Sequence, residues 1–201
     1  MVLDELHTCD LHSSLSPGGL RGLVPSLLGP GVRRNLGFTP RSPTTNLPVR
    51  VAIVSAHSRR RIRNELDLIA NCPQQAVCEI LPLDGRGALA NIRALLDGGY
   101  HAMIALHGAA VANAAFVPRP FAILEVKPSK MRADWFQNMH QTAFALDTWT
   151  HSHFADRDYE TMLEGPQKQA AELPLKTFQH FVCMLVHRLQ SLHAHNALQL
   201  S

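Results

Sequence analysis

The chain has 201 residues, of which 46% are hydrophobic, so it is long enough for one domain with a sizeable core. Its net charge of +3 is too small an excess to indicate nucleic-acid binding by itself. Acidic residues stand near Met1 where a signal peptide needs lysine or arginine, and no apolar run approaches membrane-spanning length. We therefore expect a soluble globular protein without a leader or a membrane anchor.

The first 48 residues predict an extension rather than part of the core. Leu20 to Leu28 has apolar residues at helical spacing, and Gly29-Pro30-Gly31 is expected to end that helix. Phe38 to Pro48 contains three prolines among Ser, Thr and Asn, a composition typical of linkers. We therefore divide the chain into an N-terminal extension with a Pro-rich linker, residues 1–48, and a compact domain, residues 49–195.

From residue 49 onward, apolar strands alternate with amphipathic helices. The predicted strands are Val49 to Ser55, Ala76 to Pro82, Ala102 to Leu106, Phe121 to Leu124 and a weaker candidate, Ala143 to Thr148. The predicted helices are Ile62 to Ala70, Ala88 to Leu96, a small-residue helix from His107 to Pro118, Met131 to Thr142 and Glu172 to Leu192. This alternation specifies an α/β fold, a Rossmann-like three-layer sandwich with a mostly parallel sheet.

One turn in this pattern has the composition of an anion site. His107, Gly108 and Ala109 follow an apolar strand, and the ligands of parallel sheets lie beyond the carboxyl ends of the strands. A helix that begins there has unpaired backbone N–H groups, small residues let an anion approach them, and an imidazole can donate a hydrogen bond to an oxygen. Alternatively, the small residues only allow the helix to pack closely on the sheet.

Two further polar residues accompany this turn. Asn113 is expected to face the same side as Ala109, where it can orient the turn or reach a ligand. Glu125 ends the next strand, where a carboxylate can accept both ribose hydroxyls of a nucleotide. The structural alternative for Glu125 is a salt bridge to Lys127 or a cap for the next helix.

A cluster of arginines follows the first strand. Arginine at the start of a helix is unfavourable for the helix dipole, and Arg59 to Arg63 contains four of them. Arg60 or Arg61 can bind a diphosphate through a forked guanidinium, with Asn64 nearby. Alternatively, the cluster is a solvated basic patch or a nucleic-acid contact.

The remaining candidate residues do not form a recognisable site. The cysteines are Cys9, Cys72, Cys78 and Cys183. They show neither a Cys-x-x-Cys pair nor metal-binding spacing, and we interpret them as buried or free thiols. His151-Ser152-His153 looks like a metal-binding pair, but no further ligand stands at suitable spacing, so we predict no metal.

Two stretches resemble the nucleotide-sugar half of glycosyltransferase family 61. His107-Gly-Ala-Ala-Val-Ala-Asn113, followed by a proline and a strand ending in Glu125, is similar to the family's His-Gly-Ala-Gly-Leu-(Thr/Ala)-Asn segment. Val51 to Glu65 is similar to the family's strand ending in Ser-Arg, followed by Arg-Arg-Ile-x-Asn-Glu at the start of a helix. The chain departs from these patterns at Ala110 and Val111, and at Ala56, where the family commonly has arginine. The resemblance covers roughly residues 49–126.

The resemblance implies the C-terminal lobe of a GT-B glycosyltransferase, which transfers sugar from a UDP-sugar to a glycan or protein acceptor with inversion and without a metal or other cofactor. The residues it implies in binding the UDP-sugar are His107, Gly108, Ala109, Asn113, Glu125, Arg60, Arg61 and Asn64. Family members generally reside in the Golgi or endoplasmic reticulum and carry a further N-terminal lobe, which is expected to supply the catalytic base.

Because only one lobe is matched, the catalytic residues stay unknown. His57 and His101 are candidates for the base by residue type alone. The resemblance is compatible with a fragment or with a lobe that functions alone, so the question of whether the chain is an active enzyme stays open. Two alternatives also stay open: a non-catalytic Rossmann-like nucleotide-binding module, and a basic protein that contacts nucleic acid through Arg59 to Arg63.

Overall fold

The computed structural model describes residues 29–38, 48–55, 60–83, 87–118, 120–127, 148–154, 158–160 and 169–199. In chain order, these residues form α1 (Gly29–Asn35), β1 (Val49–Ser55), β2 (Arg60–Ile62), α2 (Glu65–Ala70), β3 (Ala76–Pro82), α3 (Gly87–Asp97), β4 (Ala102–Leu106), α4 (Ala109–Ala112), a 3-10 turn (Asn113–Phe116), β5 (Phe121–Lys127), β6 (Thr148–Phe154), β7 (Asp158–Glu160), β8 (Gln169–Ala171) and α5 (Leu175–Gln199).

The centre of the molecule is a five-stranded sheet in the order β3-β1-β4-β5-β6, in which every neighbouring pair is parallel. β4 and β5 are buried along their whole length, as expected for apolar strands covered on both faces. The predicted bounds of β1, β3 and β4 are confirmed. The α/β, Rossmann-like three-layer fold is confirmed as well.

Alternate residues of each strand contribute to two separate cores, because successive side chains of a strand point to opposite faces. Val51 and Ile53 lie in the core beneath α2 and α5, whereas Ala52 and Val54 lie in the core beneath α3 and α4. We call these the α5 face and the α3 face. The longest helix, α5, buries its apolar stripe against the first of them, and full burial of each large side chain contributes roughly 1.5–3 kcal/mol.

A second, three-stranded sheet in the order β2-β8-β7 was not predicted. The sequence pattern placed a helix from Ile62, but Arg60–Ile62 is a strand that pairs in parallel with Gln169–Ala171, and the helix begins only at Glu65. Ile62 is fully buried in the core of the α5 face. The prediction was wrong here because the strand's partner lies more than a hundred residues away, where no local pattern signals it.

Other predicted bounds also change. Gly29-Pro30-Gly31 begins a helix instead of ending one, since proline is well tolerated in a first turn. The last strand of the central sheet is Thr148–Phe154, so it starts where the prediction ended and includes the two histidines. Leu20 to Leu28 and Met131 to Thr142 lie outside the described residues.

α1 belongs to the predicted extension, yet it packs on the compact domain. Gly29 is buried, and the Arg33 guanidinium donates a hydrogen bond to the carbonyl oxygen of Phe116 at 3.1 Å. Burial lowers the pKa of Arg33 from its usual value. Part of the N-terminal region therefore contacts the 3-10 turn that follows α4.

Two of the four cysteines form a disulfide, which corrects their interpretation as thiols. Cys72 follows the end of α2 and bonds to Cys78 in β3, with 6.0 Å between the Cα atoms. Cys183 is a free, exposed thiol, and Cys9 lies outside the described residues. The spacing of six residues matches no common motif, so the sequence alone did not indicate this bond.

A polar cluster joins β1, β3 and β4 near their amino ends. The Arg50 guanidinium contacts the Glu79 carboxylate at 2.6 Å and lies 5.2 Å from the centroid of the Tyr100 ring. The Tyr100 hydroxyl donates to the same carboxylate at 3.2 Å. A Cβ added at Gly98 would lie 2.0 Å from the Tyr100 ring, which explains glycine at that position.

We expect thiol alkylation of the unfolded, non-reduced protein to modify only Cys9 and Cys183, and to modify all four cysteines after reduction. We also expect Cys72→Ser with Cys78→Ser to lower the free energy of unfolding by about 2 kcal/mol, because the closed loop is short. Mass spectrometry and denaturant unfolding measure the two effects. Four modified cysteines before reduction would contradict the disulfide.

We expect Tyr100→Phe to remove part of the protein's alkaline destabilisation. Burial, and next the charge and hydrogen bond of Glu79, raise the pKa of Tyr100 above its ordinary value of 10.0, with a smaller opposing effect of Arg50. The folded state thus holds this proton more tightly than the unfolded state, so the stabilisation is present below about pH 10 and is lost as the pH rises above it. Denaturant unfolding of both proteins from neutral to alkaline pH measures the difference. Parallel pH profiles would contradict the assignment.

Candidate functional site

The candidate site lies where the order of the central sheet reverses. From β1 the chain passes outward to β3 and then returns across β1 to form β4 on its other side. This strand order is the flavodoxin-like one, in which the crevice between the carboxyl ends of the two central strands is the usual place for a ligand. In this chain those strands are β1 and β4.

Both sequence stretches singled out as candidates meet at this reversal point. The arginine-rich stretch follows β1, and His107-Gly108 follows β4 directly. β2, which contains Arg60 and Arg61, lies close to both β1 and β4. The two predicted parts of the site are therefore on the same edge of the sheet.

His107 is held inside the protein by a glutamate on the neighbouring strand. Its backbone N–H donates to the Val126 carbonyl oxygen at 2.7 Å, which continues the pairing of β4 with β5 by one residue. Its Nδ1 atom lies 2.5 Å from the Glu125 Oε1 atom, and both side chains are only 3% exposed. The imidazole therefore has a fixed partner on one side of its ring.

A lysine lies on the far side of the glutamate. The Lys127 Nζ atom is 3.8 Å from the Glu125 Oε2 atom, and the Lys127 side chain is also 3% exposed. Since Glu125 and Lys127 alternate with the apolar residues of the α5 face, they project toward the α3 face, as Phe121 does. Removing a carboxylate from water is costly, and the opposite charge of Lys127 together with the hydrogen bond to His107 offsets that cost.

This arrangement gives Glu125 a different position from the predicted one. A carboxylate that accepts ribose hydroxyls must reach the ligand surface, whereas this one is buried between an imidazole and an ammonium group. The salt bridge to Lys127, the alternative raised by the sequence, is present. The contact with His107 was missed because it joins residues eighteen positions apart on adjacent strands.

The segment after His107 is shorter and more irregular than predicted. α4 has only four residues, Ala109–Ala112, before the chain tightens into the 3-10 turn. The N–H of Val111 donates to the Gly108 carbonyl oxygen at 3.0 Å and closes the first turn. A single α-helical turn has few aligned peptide dipoles, so its positive end is weaker than that of a full helix.

Small residues in this segment also serve close packing. Val111, Ala114 and Ala115 are buried in the core of the α3 face, which supports the packing alternative for their size. Asn113 is also buried, at 7% exposure, between the end of α4 and these alanines. Its position fits the predicted role of orienting the turn better than that of reaching a ligand.

The basic stretch is divided between two environments. Arg61 is exposed on β2, on the side opposite the buried Ile62. Arg60 is described by its backbone only, which pairs with Gln169. The backbone N–H of the exposed Arg63 donates to Ala171 at 2.9 Å. The accessible guanidinium in the described part of this stretch nearest the reversal point is therefore that of Arg61.

Asn64 has a structural partner that the sequence did not indicate. Its Nδ2 atom donates to the Leu173 carbonyl oxygen at 2.8 Å, and its Oδ1 atom accepts from the Leu173 N–H at 3.1 Å. Both ends of the amide thus bind one backbone unit, which ties the start of α2 to the segment before α5. Asn64 makes this pair of contacts instead of facing the crevice as the motif implied.

The histidines considered as catalytic bases do not join the site in the described part of the chain. His101 lies at the amino end of β4, where its Nδ1 atom accepts a hydrogen bond from the Arg50 N–H at 3.0 Å. It is thus at the opposite end of the strand from His107. His57 lies outside the described residues.

Among the described residues, no group of three or more His, Cys, Asp or Glu side chains is arranged to hold a metal ion. No helix in the same part of the chain is both long enough and apolar enough to cross a membrane. A comparison of the sequence with protein-family models and with curated proteins finds no match. The function is therefore argued from the two motifs and from the geometry of the reversal point.

We expect Asn64→Ala to lower the free energy of unfolding by about 1–3 kcal/mol, because the N–H and carbonyl groups of Leu173 lose their partner. Asn71→Ala is the matched control. Asn71 donates one exposed hydrogen bond within the same helix region, to the Asp67 carbonyl oxygen, and its loss should change stability by no more than about 0.5 kcal/mol. Denaturant unfolding measures both, and equal effects would contradict the structural role of Asn64.

Proposed function

We propose that this chain is the nucleotide-sugar-binding lobe of a glycosyltransferase related to family 61, with a UDP-sugar as donor. The reaction would be an inverting, metal-independent transfer to a glycan or protein acceptor. The observation that carries the proposal is the convergence of both family-like motifs on one crevice, between the carboxyl ends of β1 and β4.

The chemistry of that crevice suits a diphosphate. In inverting transfer, an acceptor hydroxyl attacks the anomeric carbon, the bond to the diphosphate oxygen breaks, and negative charge develops on the departing UDP. Donors fixed near that oxygen stabilise the charge more than water does, because they need no reorganisation. His107, the small residues Gly108 and Ala109, and the guanidinium groups of Arg60 and Arg61 are the proposed donors.

The catalytic base is expected from outside the part of the chain that the structure describes. His101 is at the wrong end of β4, and His107 is adjacent to the proposed leaving group instead of the acceptor. The proposal therefore assigns nucleotide-sugar binding to this chain and assigns acceptor activation to a second lobe. Such a division between lobes is what the resemblance to GT-B enzymes implies.

The disulfide supports the cellular setting of the proposal. Disulfides persist in oxidising compartments and are rare where glutathione keeps thiols reduced. The bond between Cys72 and Cys78 therefore fits a protein of the secretory pathway, where family 61 members reside. This argument is independent of the two motifs.

We expect UDP to raise the melting temperature of the wild-type protein, since a ligand that binds only the folded state stabilises it by mass action. Arg60→Ala with Arg61→Ala should remove most of that shift. Arg34→Ala with Arg93→Ala is the matched control, because it removes the same charge from exposed positions on α1 and α3. Differential scanning fluorimetry over a UDP titration measures all three. A shift that survives loss of Arg60 and Arg61 would contradict their assignment.

The same preparation separates the alternatives. UDP binding without sugar transfer, even with the missing lobe supplied, would favour a non-catalytic nucleotide-binding module. Salt-sensitive binding of RNA without binding of UDP would favour a nucleic-acid contact through the arginine stretch. Neither result is expected if the crevice binds a sugar nucleotide.

A further inference from the structure

The line of contacts from Lys127 through Glu125 to His107 has no role in the function proposed above. Two strands supply it, since Glu125 and Lys127 are alternate residues of β5 and His107 follows the end of β4. All three side chains are 97% buried. The pair between His107 and Glu125 ends at the residue that opens the crevice, so a change in Glu125 reaches the site through one contact.

The hydrogen bond determines which ring nitrogen bears a proton. An ionised carboxylate can only accept, so the 2.5 Å contact with Glu125 requires His107 to donate from Nδ1. The partner of one ring nitrogen sets the state of the other, as it does for histidines that bind metals. Any ligand that His107 binds therefore meets Nε2.

Lys127 supports this assignment. Its ammonium group lies 3.8 Å from the second oxygen of Glu125, and a positive charge at that distance favours the ionised carboxylate in a buried site. An ionised Glu125 keeps the Nδ1 proton on the imidazole. The pair of contacts thus excludes the alternative in which a protonated carboxyl group donates to the ring.

We propose that Glu125 is the positioning residue of His107: it holds the imidazole in the Nδ1-protonated form, so that Nε2 contacts the sugar nucleotide, and Lys127 keeps Glu125 ionised. Glu125 itself does not touch the ribose. This inference deepens the proposed function and rests on it for the identity of the ligand. It assigns Glu125 to the site through His107 and not through direct contact with the nucleotide.

The first test needs no ligand. The chain has 12 histidines, so the imidazole signals of the ¹⁵N-labelled protein are assigned to His107 by comparison with His107→Gln. At a pH where exposed histidines are neutral, we expect the His107 ring to be protonated at Nδ1 and its Nε2 to be bare of a proton. Protonation at Nε2 with a bare Nδ1 would overturn the proposal, whether or not UDP binds.

The second test uses Glu125→Gln, which keeps the shape of the side chain but removes its charge. A Gln amide can donate to Nδ1 as well as accept from it, so we expect the His107 ring to populate both tautomers. We expect the affinity for UDP to fall about tenfold, as is typical when the partner of a ligand-binding histidine is removed. Isothermal titration calorimetry with UDP and the ¹⁵N spectrum measure the two effects.

Glu79→Gln is the matched control. Glu79 also pairs with a cation and a ring side chain, but near the amino ends of the strands. It should lower stability without changing the His107 tautomer or the UDP affinity. An unchanged UDP affinity in Glu125→Gln, with an altered tautomer, would show that Glu125 is only structural and would overturn the proposal. If the wild-type protein fails to bind UDP, the proposed function falls, while the tautomer of the free protein still decides the role of Glu125.

Discussion

The pairing of β1 with β4 is the constraint on which the rest of the structure depends. Val51, Ala52 and Ile53 align with Ala102, Met103 and Ile104, so the second strand to leave the centre and the strand that returns to it lie on either side of β1. This register aligns the ends of β1 and β4 and creates a crevice between the loops that leave them. Each side of the sheet is then covered by its own pair of helices.

The buried charges at the end of β5 show how the fold accommodates polar groups within that frame. An isolated carboxylate inside a protein would be strongly destabilising, whereas Glu125 has a hydrogen-bonding ring on one side and a cation on the other. The three side chains occupy consecutive positions along the end of two paired strands. Their mutual compensation therefore requires the register of β4 with β5 to be correct, because a slip of one residue would move Glu125 to the opposite face.

Much of the central sheet could be predicted from the sequence, because its signal is local. Val49–Ser55 and Ala102–Leu106 are continuous apolar runs ended by polar residues, and such runs are typical of covered strands. The sequence also predicted which residues follow the carboxyl ends of these strands. What it lacked was the partner of each residue, since β2 pairs with a strand near the other end of the chain and Asn64 binds Leu173. Contacts over such separations leave no periodicity to detect.

The disulfide between Cys72 and Cys78 has a consequence for assembly. β3 is the outermost strand on its side of the central sheet, and an outer strand is the part of a sheet most easily exchanged with a neighbouring molecule. Because β3 is covalently attached to the end of the helix that precedes it, the two elements must move together. Strand exchange by β3 alone is thereby prevented for as long as the bond is intact.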